Sequence, residues 1–242
     1  MLELNIHAAH PSWHAILRDA LAQLDPAYLA KLQQDDAWLP GPKQCFNAFS
    51  QPLDKIQTVL LGESPYPREA SANGYAFWDA AVDAIWSEKG LSKPVNRATS
   101  LRNFIKMLLI TEGRLSPEDT SQAAIAALEK GEFVQTLADL FQNLMQQGFL
   151  LLNTTLCLSD RAVPKDVRAW RPFIEHVLAA LYQHRPDATL LLFGNMAKEL
   201  SKIPVVSQFN TLQAEHPYNI SFIHNASVQK FFQPLRALQA AL

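Results

Sequence analysis

The sequence predicts an α/β fold in which a four-stranded parallel sheet is covered by helices on both faces. Three observations carry this expectation. Short apolar runs recur, each closed by Gly or a polar residue: Ile56–Leu61 before Gly62, Gly148–Asn153, and Ala188–Phe193 before Gly194. Amphipathic stretches of helical period lie between them. A fourth, weaker run, Asn210–Glu215, ends at His216-Pro217. Alternation of strand and helix is the pattern of parallel sheets buried between two helical layers.

In chain order, Pro11 to about Gln34 reads as helical, with Trp13, Ile16, Leu17, Leu21, Leu24, Tyr28 and Leu29 as its apolar set. Pro26 divides this stretch into two helices. Further helices are expected at Ser100–Ile110, Phe133–Gln147, Pro172–His184 and Met196–Lys202. In the segment 114–131, Ser116-Pro117-Glu118-Asp119 offers an N-cap, a proline at the first helical position and acids in the first turn. An alanine-rich helix is therefore expected from Ser116 to Lys130-Gly131.

Bulk properties narrow the function classes. Hydrophobic residues form 48% of the 242 and charged residues 18%, enough for a sizeable core. Net charge is −2, so any nucleic-acid binding has to rest on a local patch or on backbone donors. Cys45 and Cys157 are the only cysteines. Two cannot hold an iron–sulfur cluster, and free thiols in a reducing compartment are expected. The first residues lack a basic stretch followed by an apolar one, and no apolar run is long enough to span a bilayer. A cytoplasmic protein without a membrane segment is the expectation.

Open parallel sheets bind ligands beyond the carboxyl ends of their strands. Those ends carry Gly62-Glu63-Ser64-Pro65-Tyr66-Pro67, Asn153-Thr154, Gly194-Asn195 and His216-Pro217, which suggests one site. Together with Gly74-Tyr75-Ala76-Phe77-Trp78, Leu150–Thr154 and His216-Pro217-Tyr218-Asn219-Ile220-Ser221, these loops resemble the uracil-DNA glycosylase superfamily. The resemblance is to the branch with a Gly-Gln-Asp-Pro-Tyr-His loop. It covers about residues 13–242 and implies one domain, 1–242, with 114–131 as an insertion. The fold implied is that family's three-layer sandwich.

The resemblance also implies roles. Such enzymes take a base out of the helix, hold it and hydrolyse its bond to the sugar. Asn153 resembles the residue that reads the base: an amide can accept from uracil N3–H and donate to O4, whereas cytosine reverses that pattern. Phe77 resembles the stacking platform, and Tyr66 the ring that leaves no room for a thymine methyl. His216 resembles the histidine that donates to uracil O2 as charge develops there. Ser100 and Ser221 match serines that hold phosphates, Tyr218 replaces a third, and Ile220 stands at the leucine wedge. Arg161, Lys165 and Arg168 add local positive charge. The remaining histidines, including the i, i+4 pair His10 and His14, read as ordinary structural or surface residues.

The departures concern water. Ser64 occupies the place of the family aspartate, and a hydroxyl is neither a base near neutral pH nor a negative charge. The loss should amount to several kcal/mol of transition-state stabilisation, roughly what a preorganised charge contributes. Ser64 or its neighbour Glu63 would then place the water, and Pro67 replaces the motif's last histidine. The implied activity is excision of uracil or a related damaged base from single- or double-stranded DNA, without metal or cofactor. Two other readings stand beside it: a catalytically weak or inactive DNA- or protein-binding module, and a glycosylase of shifted base choice with Glu63 as reader.

Overall fold

The computed structural model describes residues 4, 6–35, 37–159 and 163–240. In chain order the elements are α1 (His14–Leu21), α2 (Pro26–Gln34), β1 (Thr58–Gly62), the short hairpin strands β2 (Trp86–Ser87) and β3 (Gly90–Leu91), α3 (Lys93–Arg97) and α4 (Thr99–Thr111). They continue with α5 (Gln122–Ala126), α6 (Leu137–Gln146), β4 (Phe149–Asn153), α7 (Val163–His184), β5 (Thr189–Phe193), α8 (Met196–Leu200), β6 (Asn210–Ala214) and α9 (Ala226–Phe232). The architecture is α/β, with a four-stranded parallel sheet in the order β4–β1–β5–β6 flanked by helices. All four expected strands form. The β2–β3 hairpin was not expected, because two-residue strands carry no periodicity to read.

Pairing of β1 with β4 sets Gly62 opposite Asn153 and Leu61 opposite Leu152. Both strands are buried almost throughout, as continuous apolar runs in parallel sheets require. β6 is an edge strand of mixed exposure, which explains its weaker signal in the sequence.

The chain divides into two compact units, each described here by itself. The first comprises 1–79, 148–191 and 196–211, the second 80–147, 192–195 and 212–242. In the first unit Asp25 caps α2 by accepting from the Tyr28 N–H at 2.9 Å, and Pro26 takes the first helical position, so the expected division there holds. Trp13, Phe46, Phe49, Trp170 and Phe173 form its aromatic core, with ring centroids 5.0–6.5 Å apart. α7 begins at Val163 rather than at Pro172 and carries that proline inside the helix. The lost hydrogen bond costs about 3 kcal/mol. Burial of Trp170, Phe173, Ile174, Val177, Leu178 and Leu181 on one stripe outweighs it.

In the second unit α4 buries Leu101, Phe104, Ile105 and Leu108, and Phe104 meets Phe232 of α9 edge-on at 5.4 Å. α6 is shorter than the expected Phe133–Gln147, because Thr136 and Asp139 close a capping box that fixes its start. The 114–131 segment departs most from expectation. Ser116–Asp119 is a turn, and the helix there is only Gln122–Ala126, capped by Ser121. Lys130 ends it by donating to the Ala126 and Leu128 carbonyls. What fixes the segment is Gln122, whose amide pairs with Asn96 and accepts the Leu91 N–H at 2.8 Å.

Candidate active site

In the first unit five of the predicted residues, Glu63, Ser64, Tyr66, Phe77 and Asn153, lie at or after the ends of β1 and β4. Asn153 is 3% exposed, and its amide makes no hydrogen bond to the protein among the described residues. Its amide atoms are not among the fully enclosed polar atoms that lack a partner, so this edge stays open to a group arriving from outside. Its Oδ1 lies so near Gly62 that a Cβ there would approach it to 2.5 Å and the Ala76 Cβ to 2.9 Å. Glycine at 62 therefore keeps the amide in place.

Phe77 follows Ala76 with φ +64°, a conformation that non-glycine residues rarely adopt. Such strain costs of order 1–3 kcal/mol and persists only when neighbours enforce it. Here the Ala76 N–H donates to Leu151 O of β4 at 3.0 Å, and the Tyr66 hydroxyl donates to the Phe77 carbonyl at 3.2 Å. Arg68 and Asp79 add an ion pair at 3.1 Å across the same segment. Burial, then the Asp79 carboxylate, push the Tyr66 phenol up to about 12 against the opposing pull of Arg68. Tyr66 is thus a neutral hydrogen-bond donor with a fixed ring.

The backbone of Glu63 is held as well, its carbonyl accepting from Thr154 Oγ1 at 2.9 Å and from the Thr155 N–H at 3.2 Å. Its carboxylate is exposed, and neither it nor the half-buried Ser64 hydroxyl is bonded to another described residue. A separate cavity of about 40 Å³, lined by Thr154, Arg171 and Leu200 among others, contains none of the predicted site residues. It has space for water rather than for a nucleobase.

The second unit holds His216, Ser100, Ile220 and Ser221. Nδ1 of His216 accepts the Tyr218 N–H at 3.1 Å. A ring protonated on both nitrogens could not accept this bond, so the neutral ring carries its proton on Nε2. Gly194, at φ +65°, closes β5 against the imidazole: a Cβ there would come within 2.8 Å of the His216 Cβ. Two side chains fix the loop. Asn103 of α4, 1% exposed, donates through Nδ2 to the carbonyls of Pro217 at 2.7 Å and Tyr218 at 3.4 Å. Glu215 accepts from Asn225 Nδ2 at 2.8 Å and from the Ser221 hydroxyl. Burial raises the Glu215 carboxyl, but its own N–H, Ser221 and Asn225 together hold it below the usual carboxylate range.

Tyr218 and Ile220, at 67% and 58%, are the large hydrophobic side chains left exposed among the described residues. Ser100 lies in the first turn of α4, half-buried, and Ala98 at the N-cap gives that turn no side-chain cap. Lys165 and Arg168 are exposed on α7, while Arg161 lies outside the described residues. His10 and His14 bond to Ser12 and to the Ala9 carbonyl, in keeping with their structural reading. Cys45 and Cys157 are buried free thiols, and burial pushes Cys157 up to about 12. Among the described residues, no three His, Cys, Asp or Glu side chains are placed to hold a metal ion, and no helix is long and apolar enough to cross a membrane.

Asn103 and Glu215 were not foreseen as parts of a site, whereas Gly194 was among the strand-end residues expected there. A signal existed for Asn103, an amide within the apolar stripe Leu101, Phe104, Ile105, Leu108 that needs a buried partner. Glu215 acts through loop geometry that one sequence does not express.

Comparison with known proteins places the chain in a family. Residues 50–239 match the family model described as the uracil DNA glycosylase superfamily. A uracil-DNA glycosylase of Chromobacterium violaceum is 30% identical over 220 residues, covering 88% of this chain and 79% of the relative. The wild-type UNG crystal structure from Nitratifractor salsuginis superposes with a TM-score of 0.93 at 40% identity, covering 98% of this chain and 96% of that one. Mimivirus uracil-DNA glycosylase, at TM-score 0.58 and 17% identity, shares the fold. On the family match and these relatives, the chain belongs to the uracil-DNA glycosylase superfamily.

Proposed function

We propose that the protein is a DNA glycosylase that hydrolyses the N-glycosidic bond of uracil, or of a related damaged base, flipped out of DNA. The observation that carries this reading is the Asn153 amide at the end of β4, in a residue 3% exposed and without a bond to another described residue, together with Phe77, whose backbone is held at positive φ. Oδ1 accepts from the base N3–H and Nδ2 donates to O4, while the Phe77 ring stacks on the base. The Tyr66 ring, fixed by its bond to the Phe77 carbonyl, excludes a 5-methyl group.

As the bond from N1 to C1′ breaks, its electron pair passes to the base, and Nε2–H of His216 donates to the developing charge on O2. Water adds to C1′, held by Ser64 or Glu63, and its proton leaves to solvent. No metal or cofactor enters this scheme. Ser100 with the uncapped N–H groups of α4, and Ser221 once its hydroxyl turns from Glu215, grip phosphates, and Ile220 enters the space that the base left. Lys165 and Arg168 lend positive charge to a chain of net charge −2, so binding to single- or double-stranded DNA should be salt-sensitive. One functional domain, 1–242, is consistent with a family match that runs through both units. The two free thiols favour the cytoplasm.

Changing Asn153 to Ala is expected to abolish uracil release from a single-stranded oligonucleotide, measured as strand cleavage after alkali. Unchanged release would sink the assignment. One observation favours a second reading, a binding module without turnover: Ser64 stands where the family's acid would be, and the Glu63 carboxylate is exposed. That reading predicts no cleavage by the unaltered protein with uracil, hypoxanthine, xanthine or alkylated bases. Cleavage with one of the other bases and not with uracil would indicate a shifted base choice.

A further inference from the structure

We propose that Tyr218 is a DNA-stacking residue, its ring packing on a base beside the vacated position while Ile220 fills the gap. This rests on the glycosylase reading of the His216 loop. Tyr218 and Ile220 are two positions apart and both project from the 216–221 loop, at 67% and 58% exposed. Large apolar groups on a protein surface cost nothing to explain singly, but a pair on one functional loop marks a surface that becomes covered.

The exposure belongs to a held loop. Asn103 clamps the Pro217 and Tyr218 carbonyls, the Asn219 N–H closes a turn on the His216 carbonyl at 2.9 Å, and Glu215 ties to Asn225. Just beyond, Phe222 is fully buried, edge-on to Phe193 at 5.1 Å. The ring of Tyr218 is therefore presented outward with little order left to lose on binding, and aromatic side chains give large contact area at small entropic cost.

The chemistry of the occupant follows from the ring and its place. Tyr218 stands where the resemblance puts a phosphate-holding serine, so a hydroxyl contact has given way to a π-face. Base stacking on an aromatic contributes about 1–3 kcal/mol per base and tolerates any sequence. Because the Tyr218 N–H donates to His216 Nδ1, a base seated on Tyr218 steadies the bond that keeps the histidine proton on Nε2.

The test uses the full chain and a single-stranded oligonucleotide with a tetrahydrofuran abasic analogue beside 2-aminopurine. The unaltered protein and Tyr218→Phe are expected to bind alike and to quench the 2-aminopurine. Tyr218→Ser should bind roughly 5- to 100-fold more weakly and lose the quench. That gap should persist as salt is raised, since stacking releases no counterions. Tyr218→Ser binding and quenching like the unaltered protein overturns the proposal. So does Tyr218→Phe losing as much as Tyr218→Ser, which would assign the contact to the hydroxyl. Binding of free uracil by the unaltered protein reports on the base pocket separately. Its failure counts against the glycosylase reading, while the Tyr218 comparison still decides whether the ring stacks.

Discussion

The loop after β1 and the loop after β6 are both built at strand ends, yet their side chains are held very differently. Beyond β6, His216 has its tautomer set by the Tyr218 N–H, Gly194 packed against its ring, and Asn103 and Glu215 clamping the loop around it. Beyond β1 the backbone is secured through the Glu63 carbonyl, but the Glu63 carboxylate and Ser64 hydroxyl have no bond to another described residue. Preorganised donors stabilise a transition state because they need not reorganise as charge moves. Under the proposed mechanism, the difference puts the weight of catalysis on stabilising the departing base, with water handled by weak groups.

The sharpest way to break that comparison is His216→Ala. Losing a donor aimed at a developing oxyanion costs about 10²–10³-fold in kcat. KM should change far less, because the bond strengthens chiefly in the transition state. Single-turnover release of uracil measures it, and a loss below tenfold would shift the weight to the β1 loop.

Asn103→Ala should come next. Leaving the Pro217 carbonyl without its buried donor costs about 1–3 kcal/mol of stability, seen as a lower urea midpoint. A misplaced His216 should lower kcat by about 10- to 100-fold. If Asn103 acts through His216, the double variant Asn103→Ala, His216→Ala is scarcely slower than His216→Ala alone. Additive losses would mean that the clamp serves only the fold.

These clamps also show where the sequence was legible. Strands such as Leu150–Asn153 could be read because a parallel sheet writes itself as an uninterrupted apolar run. α2 could be read because Asp25-Pro26 is a start signal whose mechanism is local. The start of α7 was missed because burial overrode a proline. The helix in 114–131 was misplaced because Ser116 and Ser121 are equally good caps, and only the docking of Gln122 on Asn96 and Leu91 chooses between them. Of the candidate site, residue identities came from motif and order. The Asn103–Pro217 bond joins positions 114 apart, a separation at which no local pattern survives.

The smallest expected effects lie at Ser64 and Glu63, and they sharpen the comparison because they separate two ways of holding water. A net hydrogen bond contributes about 1 kcal/mol, so Ser64→Ala should slow turnover about fivefold if its hydroxyl holds the nucleophile. Glu63→Gln removes an exposed charge whose effect water screens, and should change the rate by no more than about fivefold, less as salt rises. If Glu63 instead acts as the base, Glu63→Gln exceeds Ser64→Ala and flattens the acid side of the kcat–pH profile. Ser64→Asp then discriminates further. A carboxylate at that position restores a negative charge to favour the cationic sugar, so the rate should rise if the β1 loop is the weak half of the site. A fall would mean that the loop is already matched to Ser64, and that its freedom from side-chain bonds leaves room for the water rather than marking a lost function.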